Sequence, residues 1–309
     1  MSETAQDKIA DAVKGSWVDT ILPTSLRPYA QLARFDRPIG WWLLLLPCWW
    51  STALAAGANG DAFLNLFHLA LFMVGAIAMR GAGCTYNDIV DRKIDAKVAR
   101  TAARPIPSGR VSTKQAVVFM VLLCFVGLLV LLQFNFFAII LGFSSLGFVA
   151  IYPFMKRITH WPQFVLGLAF SWGALMGWAA TFGSLSWAPV LLYLGAISWT
   201  IGYDTIYAHQ DKEDDAIVGV KSTALLFGDK TKYWLIGFYS LTTSLFAAAF
   251  FLAGSGPFAF AGLVIGAGHL IFQIIRLSID DVDQCLALFR SNRDYGLILF
   301  AGLTLDTII

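Results

Sequence analysis

The stretch LFMVGAIAMRGAGCTYNDIVDRKID, residues 71–95, combines a long apolar run with a cluster of acidic residues at its end. The apolar part fits a membrane-spanning helix, since such a helix needs about 20 mostly apolar residues. Side chains three, four and seven positions apart share one face of a helix, so Asp88, Asp91 and Asp95 form one acidic stripe with Asn87 beside it. The stretch therefore predicts a spanning helix that carries negative charge where it leaves the lipid.

The whole chain has the composition of a membrane protein. Of its 309 residues, 58% are hydrophobic and 14% are charged, whereas soluble domains carry about 25% charged residues. We therefore predict an all-α polytopic membrane protein, with a polar N-terminal tail at 1–38 and a single transmembrane domain at 39–309. About nine spans are expected, near 39–57, 62–84, 115–133, 136–152, 163–181, 188–203, 233–253, 257–275 and 295–309.

The basic residues indicate an orientation. With nine spans, every Lys and Arg except Arg80 lies in the N-terminal tail or in the segments 85–114, 153–162, 204–232 and 276–294. Short cytoplasmic loops are enriched in these residues. We therefore expect the N-terminus and the charged segments on the cytoplasmic side, in the inner membrane if the source is bacterial. The net charge of +2 carries little information, whereas the one-sided distribution of the basic residues does. Nucleic acid is not expected as a partner.

The acidic stripe predicts a cation site. Two carboxylates about 5 Å apart repel by roughly 3 kcal/mol at an effective dielectric near 20, so three on one face call for positive charge. Hard oxygen ligands suit Mg²⁺, which typically binds one or two carboxylates together with the phosphates of a substrate. The stripe is therefore expected to bind Mg²⁺ and a diphosphate.

A second acidic cluster, YDTIYAHQDKEDD at 203–215, follows the sixth predicted span. Asp204 and Asp211 are seven residues apart, and Asp211 and Asp215 are four apart, which is again a helical spacing. Two such stripes on the same side of the membrane would clamp a diphosphate. A solvated acidic loop is the alternative for either cluster alone, but two clusters matched in position and spacing make it the weaker interpretation.

Basic residues that can bind a diphosphate follow both clusters. Arg104 follows the first cluster and Lys221 follows the second, while Tyr152 and Lys156 lie in YPFMKR on the same predicted side. Lys and Arg make charge-assisted hydrogen bonds to phosphate oxygens. Taken singly, each is better explained as an orientation signal or a contact for lipid headgroups than as a substrate-binding residue. Beside two acidic clusters, some of them are expected to bind the diphosphate.

Arg80 lies inside an apolar run, where an ionisable group is by default a functional hypothesis. It stands seven residues before Asn87, two helical turns deeper on the same face. An anionic second substrate, such as a carboxylate, would suit this position. The alternatives are an arginine that extends to the cytoplasmic interface and one that pairs with Asp88.

These stretches resemble the UbiA-type intramembrane aromatic prenyltransferases. The resemblance runs from about Arg34 to the end of the chain and includes RFDRPIG, MRGAGCTYNDIVDRKID, RTAARPIPSG, YDTIYAHQDKEDD and GVKSTALLFG. Within that superfamily, MRGAGC and the second acidic motif look most like the 4-hydroxybenzoate polyprenyltransferases of ubiquinone biosynthesis. The resemblance implies helices around a central cavity. It also implies Mg²⁺-dependent transfer of a polyprenyl chain, held partly in membrane lipid, from its diphosphate to the ring carbon ortho to the hydroxyl of 4-hydroxybenzoate.

The resemblance also implies roles for individual residues. Arg80 would face the benzoate carboxylate, Arg104 and Lys221 would assist at the phosphates, and Asp204 would act as a base or orient the phenol. Tyr152 and Lys156 are further candidates for substrate binding. The residues expected to hold Mg²⁺ and diphosphate, and so to carry the catalysis, are Asn87, Asp88, Asp91, Asp95, Asp211 and Asp215.

Two alternatives stay open at this point. A member of the same superfamily with haem, dihydroxynaphthoate or homogentisate as acceptor would share most of these motifs. An ion-coupled membrane transporter would also carry ionisable groups, but near the bilayer midplane, where transporter sites lie. A scaffold without enzymatic activity would leave both acidic stripes unexplained.

Overall fold

The computed structural model describes residues 16–97, 101–212, 217 and 219–309, and these residues contain helices and no strand. Helix accounts for 79% of the structure. The helices are Trp17–Thr20, Arg27–Leu32, Ile39–Asn59, Leu66–Asp95, Thr113–Leu131, Phe136–Ile158, Pro162–Phe170, Gly173–Phe182, Trp187–Ala208, Thr223–Phe227, Thr231–Leu252, Pro257–Arg276 and Val282–Ile308, with 3₁₀ helices at His209–Asp211 and Gly228–Lys230.

The predicted membrane architecture is confirmed, but the number of spans is not. In the described part of the chain, seven helical segments are long and apolar enough to cross a membrane. The predicted spans at 188–203 and 295–309 lie in the helices Trp187–Ala208 and Val282–Ile308, which are long enough but more polar. The count of nine therefore remains a prediction.

The described residues divide into two compact units, and the first comprises those up to Trp41 together with those within Val74–Val130. Leu32 is fully buried there in a cluster with Val111 and Ala116. The described part of the predicted tail therefore packs onto this unit through its apolar side chains. The boundary at residue 38 and the single transmembrane domain remain predictions.

The second unit comprises Trp42–Met73 and Leu131–Ile309 and has an aromatic core. The indole Nε1 of Trp50 donates a 2.7 Å hydrogen bond to the carbonyl of Gly296, and that of Trp199 donates a 2.8 Å bond to Asn292 Oδ1. Buried indole N–H groups need such acceptors. These bonds connect the helices that begin at Ile39, Trp187 and Val282. The largest fully buried rings of this unit are Trp50, Trp199, Tyr203, Phe246, Phe250 and Tyr295.

Polar side chains stabilise two helix ends in the second unit. Asn135 accepts a 2.9 Å bond from the amide of Ala138 and donates to the carbonyl of Ala179 at 2.7 Å. Asp306 accepts a 2.6 Å bond from the amide of Gly256, directly before the helix Pro257–Arg276. Both side chains satisfy backbone groups that a helix end leaves without intrahelical partners.

Glycines allow close contacts between helices in the second unit. Gly262 and Gly302 face each other, and a Cβ on Gly302 would lie 2.9 Å from both Gly262 Cα and Phe258 O. A Cβ on Gly177 would likewise lie 2.5 Å from the amide nitrogen of Thr52. In a membrane, such close backbone packing replaces the hydrophobic driving force available in water.

The contact between Gly262 and Gly302 predicts a local loss of stability on substitution. Gly302→Ala should lower the free energy of unfolding by about 1–3 kcal/mol, because backbone rather than a movable side chain must yield. Thermal unfolding in detergent would measure the change. Gly268→Ala is the matched control, since a Cβ at Gly268 has open space. Equal melting temperatures for the two variants would contradict the assignment.

Candidate functional site

The first acidic cluster lies on one continuous helix, as predicted. The helix Leu66–Asp95 has 30 residues and includes the apolar run, Arg80 and the whole stripe. Asp88 and Asp91 are each 1% exposed, and Asp95 is 6% exposed. The stripe is therefore buried, which excludes the alternative of a solvated acidic loop for this cluster.

Two arginines provide the counter-charge for the stripe. Arg34 Nη2 lies 2.9 Å from Asp88 Oδ1. Arg104 Nη1 lies 2.9 Å from Asp95 Oδ2 and 3.4 Å from Asp88 Oδ1. Buried carboxylates are tolerated only when they are paired and hydrogen-bonded, so these two arginines make burial of Asp88 and Asp95 feasible.

Arg34 reaches the stripe from an unusual backbone conformation. Its φ angle is 59°, in the left-handed region that L-residues seldom adopt. It terminates the helix Arg27–Leu32, with Arg34 N bonded to Gln31 O at 3.1 Å and Phe35 N bonded to Ala30 O at 2.9 Å. This is the Schellman arrangement, in which glycine is the usual residue. The use of arginine at this strained position, bound to Asp88, suggests a functional reason.

The residues of the stripe fit a divalent cation in the chemistry of their donors. The side chains offer carboxylate oxygens and one amide oxygen, which are the ligands that Mg²⁺ prefers. Asp88 Oδ2 is buried and has no hydrogen-bond partner among the described residues. Within the same residues, no group of three Asp, Glu, His or Cys side chains is arranged to hold a metal ion. In the structure, Arg34 contacts Asp88, and Arg104 contacts Asp88 and Asp95.

Arg80 lies two helical turns before the stripe and is partly buried. Its guanidinium approaches the start of the helix Ile39–Asn59, close to Gly40. The structure thus places the cation inside a segment that is apolar enough to span the membrane. This position keeps Arg80 a candidate for binding an anionic group.

The second acidic cluster is less regular than its spacing predicts. Asp204 lies partly buried on the helix Trp187–Ala208, and Asp211 lies partly buried at the end of the 3₁₀ helix His209–Asp211. A 3₁₀ helix has three residues per turn, so the α-helical register fails after Ala208. Asp215 lies outside the described residues, and its predicted role remains a prediction.

His209 fixes the turn that carries Asp211. Its ring Nε2 lies 2.9 Å from Thr231 Oγ1, and its side chain is buried. Burial lowers the pKa of His209 to about 4, and the charge of Lys212 acts in the same direction. The imidazole is therefore neutral near pH 7, and it joins the 3₁₀ turn to the helix Thr231–Leu252.

The basic residues of the second unit come together at one helix end. The amide of Lys221 donates a 2.8 Å bond to Lys156 O, and its ammonium donates a 3.0 Å bond to Ile158 O. A cation is stabilised at the carboxyl end of a helix, here Phe136–Ile158. Tyr152 lies one turn before Lys156 on the same helix. The structure thus brings three of the predicted substrate-binding residues into one region.

Sequence reasoning did not assign a role to Arg34. The stretch RFDRPIG was recognised only as part of the family pattern, and 54 residues separate Arg34 from Asp88. A signal was present, because a cluster of basic residues precedes the first span. The left-handed turn that directs Arg34 to the stripe has no glycine or asparagine to mark it.

A buried acidic site flanked by arginines on a membrane helix is typical of an integral membrane enzyme that acts on a phosphorylated substrate. The model of the UbiA prenyltransferase family matches residues 44–299. The chain belongs to this family.

Three similar proteins from different organisms share one name. The chain is 53% identical over 290 residues to the mitochondrial 4-hydroxybenzoate polyprenyltransferase of Drosophila melanogaster, covering 93% of this chain and 73% of that protein. The protein of the same name from Arabidopsis thaliana is 49% identical, with 94% and 72% covered. The one from Homo sapiens is 48% identical, with 93% and 77% covered.

Solved structures share the fold. A UbiA homologue from Aeropyrum pernix K1 in its apo form matches with a TM-score of 0.71 at 25% identity, covering 86% of this chain and 97% of that one. A UbiA homologue from Archaeoglobus fulgidus bound to GPP and Mg²⁺ matches with a TM-score of 0.67 at 18% identity, covering 91% and 99%. The all-helical intramembrane fold predicted from the sequence is therefore confirmed.

The pairing of Arg34 with Asp88 predicts that Arg34 stabilises the protein when no metal is bound. Arg34→Gln should lower the free energy of unfolding by about 1–3 kcal/mol, the cost of removing one hydrogen-bond partner from a buried polar group, because Asp88 loses its nearer cation while Arg104 remains. Thermal unfolding in detergent with a chelator would measure this. The matched control is Arg92→Gln, since Arg92 is exposed on the same helix as Asp88. A loss no larger than that of the control would refute the role.

Proposed function

We propose that this protein transfers a polyprenyl chain from polyprenyl diphosphate to 4-hydroxybenzoate and releases diphosphate. The new bond forms at the ring carbon ortho to the hydroxyl, a step of ubiquinone biosynthesis. The observation that carries the proposal is the buried stripe of three carboxylates on a membrane-spanning helix, two of which pair with Arg34 and Arg104 from outside that helix. The shared name of relatives at about 50% identity supports the choice of acceptor.

The acidic stripe is proposed to bind the diphosphate through Mg²⁺. Asn87, Asp88, Asp91 and Asp95 supply oxygen donors on one helix, and Asp88 Oδ2 has no partner among the described residues. When bound, Mg²⁺ supplies charge neutralisation at the departing diphosphate. A similar structure bound to GPP and Mg²⁺ supports the choice of metal. We extend the metal-binding role to Asp211 and Asp215 on the basis of the sequence motif.

The basic residues are proposed to stabilise the leaving group. Arg104 already contacts two carboxylates of the stripe, so its guanidinium stands where an incoming diphosphate would meet it. Lys156 and Lys221 lie together beside the end of one helix, with Tyr152 one turn away. Cationic groups held in place before the reaction stabilise the negative charge that develops on the diphosphate oxygens.

The acceptor is proposed to be held by its carboxylate. Arg80 lies two turns deeper in the apolar helix than the stripe, where a guanidinium makes a strong, bidentate bond to a carboxylate. Asp204 on the helix Trp187–Ala208 is proposed to orient the phenol or to accept the ring proton. Loss of that proton restores the aromatic ring after the carbon–carbon bond has formed.

The hydrocarbon surroundings are proposed to protect the reaction from water. Departure of the diphosphate leaves an allylic carbocation, which water would capture if it reached the site. The helices Thr113–Leu131 and Phe136–Ile158 expose most of their apolar side chains, as expected for surfaces that face lipid. A polyprenyl chain can remain in lipid of this kind while its diphosphate binds to charged groups.

We propose that the basic segments face the cytoplasm, or the equivalent compartment in an organelle. The distribution of Lys and Arg supports this orientation. The relatives from Drosophila melanogaster and Homo sapiens are named as mitochondrial, and for such proteins the equivalent compartment lies inside the organelle.

The proposed reaction predicts metal-dependent product formation. Purified protein in detergent, given a polyprenyl diphosphate and labelled 4-hydroxybenzoate, should convert the label into a lipid-extractable product with Mg²⁺ and not with a chelator. Parallel reactions should contain dihydroxynaphthoate, homogentisate and haem as acceptors. Product from one of these, and none from 4-hydroxybenzoate, would overturn the acceptor while leaving prenyl transfer in place.

Asp88→Asn should reduce kcat/KM by at least about 100-fold, because the neutral amide loses the charge attraction to the cation. The folded fraction, judged by size-exclusion chromatography and thermal unfolding, should persist. Asp61→Asn is the control, since Asp61 is exposed in the loop after Asn59 and bonds to that side chain. Full activity in Asp88→Asn would refute the metal-binding role.

The orientation predicts opposite labelling of two loops of the second unit. In a cysteine-free background, Asp229→Cys should react with an impermeant thiol reagent from the side of the basic segments. Asp61→Cys should react only from the other side. Both residues are exposed, so burial does not limit labelling. Labelling of both positions from one side would reject the orientation.

A further inference from the structure

Gly40 lies where a side chain would meet Arg80. It is the second residue of the helix Ile39–Asn59 and is buried. A Cβ built on Gly40 would stand 2.5 Å from Arg80 Nε, 3.0 Å from Nη2 and 3.1 Å from Cζ. All three atoms belong to the guanidinium. The absence of a side chain at residue 40 is therefore what leaves room for this cation.

The kind of contact separates Gly40 from the glycines that serve packing. At Gly177 and Gly302, an added Cβ would meet the backbone of another helix, so the helices themselves would have to move. At Gly40 the nearest atoms are the end of a long side chain, which can rotate. A substitution there should displace the guanidinium and leave the helices in place.

We propose that Gly40 is a positioning residue that sets the place of the Arg80 guanidinium, and through it the affinity for the carboxylate of the acceptor. The inference rests on the proposed function, in which Arg80 binds that carboxylate. Charge-assisted, bidentate bonds depend on geometry, so a shift of the guanidinium by the width of a methyl group weakens them. The diphosphate site, which uses other residues, is not affected.

The first measurement compares Gly40→Ala with Gly57→Ala. Gly57 lies on the same helix, and a Cβ there would make an ordinary 3.6 Å contact with Thr307 Oγ1. Gly40→Ala should raise the KM for 4-hydroxybenzoate about tenfold, the range expected when a bond to a charged group is weakened. The KM for polyprenyl diphosphate should stay within about twofold. Gly57→Ala should resemble the unmodified protein in both.

Binding without turnover provides a second readout. Titration calorimetry with 4-hydroxybenzoate and with 4-hydroxybenzamide, in the absence of polyprenyl diphosphate, reports recognition of the carboxylate alone. Gly40→Ala should weaken binding of the acid and leave binding of the amide unchanged. Equal weakening for both compounds would show a general disturbance of the pocket and would overturn the positioning role.

The double variant with Arg80→Leu tests whether Gly40 acts through Arg80. Leucine lacks Nε, Cζ and Nη2, the atoms that a Cβ at residue 40 would meet. In the Arg80→Leu background, Gly40→Ala should therefore cause no further loss of acid binding. If Gly40→Ala alone folds poorly, Arg80→Leu should restore its melting temperature. Additive losses, or no restoration of folding, would overturn the proposal.

The outcomes distinguish failure of the proposed role of Arg80 from failure of the inference about Gly40. If Arg80→Leu leaves binding of 4-hydroxybenzoate unchanged, the proposed role of Arg80 falls, and the inference about Gly40 falls with it. If Arg80→Leu weakens that binding while Gly40→Ala does not, only the inference about Gly40 falls. Loss in both single variants without additivity supports both.

Discussion

The burial of three carboxylates on one helix is the constraint on which the first unit depends. Asp88, Asp91 and Asp95 are nearly inaccessible to solvent, and charges in such a place must be compensated. The compensation comes from both sides along the chain, since Arg34 precedes the helix and Arg104 follows it. The segments that carry these arginines must therefore fold against the stripe, and apolar contacts of Leu32 with Val111 accompany them.

The same arginines relate the fold to the proposed chemistry. Two guanidinium groups supply positive charge at the carboxylates in the structure described here. A divalent cation would bring further positive charge to the carboxylates, and a diphosphate would bring new anionic partners for the arginines. In the proposed reaction, Arg34 and Arg104 would exchange carboxylate oxygens for phosphate oxygens and would keep anionic partners throughout. A stripe without these arginines would have to remain open to water until metal arrived.

The sequence predicted what depends on local periodicity. The stripe on one helix follows from spacings of three and four residues, and the helix Leu66–Asp95 confirms it. The sequence did not predict the role of Arg34, because that role depends on a left-handed turn and on a contact with a residue 54 positions away. The α-helical register predicted for Asp211 was wrong, because the chain changes to a 3₁₀ helix after Ala208. Nothing in the spacing of the acidic residues indicates that change. The helix Trp187–Ala208 is buried along much of its length. It contacts protein rather than lipid there, so its side chains can be more polar than those of a lipid-facing span.

Three glycines show most directly why the remaining part of the site could not be predicted from the sequence. In the sequence, Gly40, Gly57 and Gly302 are equivalent small residues within apolar helices. In the structure, one faces a guanidinium, one has an ordinary contact and one meets backbone. The role of a glycine depends on which group lies beside it. Beside Gly40 lies Arg80, which belongs to the helix Leu66–Asp95 and is 40 residues away in sequence. Composition and spacing describe the side chains that are present. The role of Gly40 depends instead on the Arg80 guanidinium, which a side chain at residue 40 would displace.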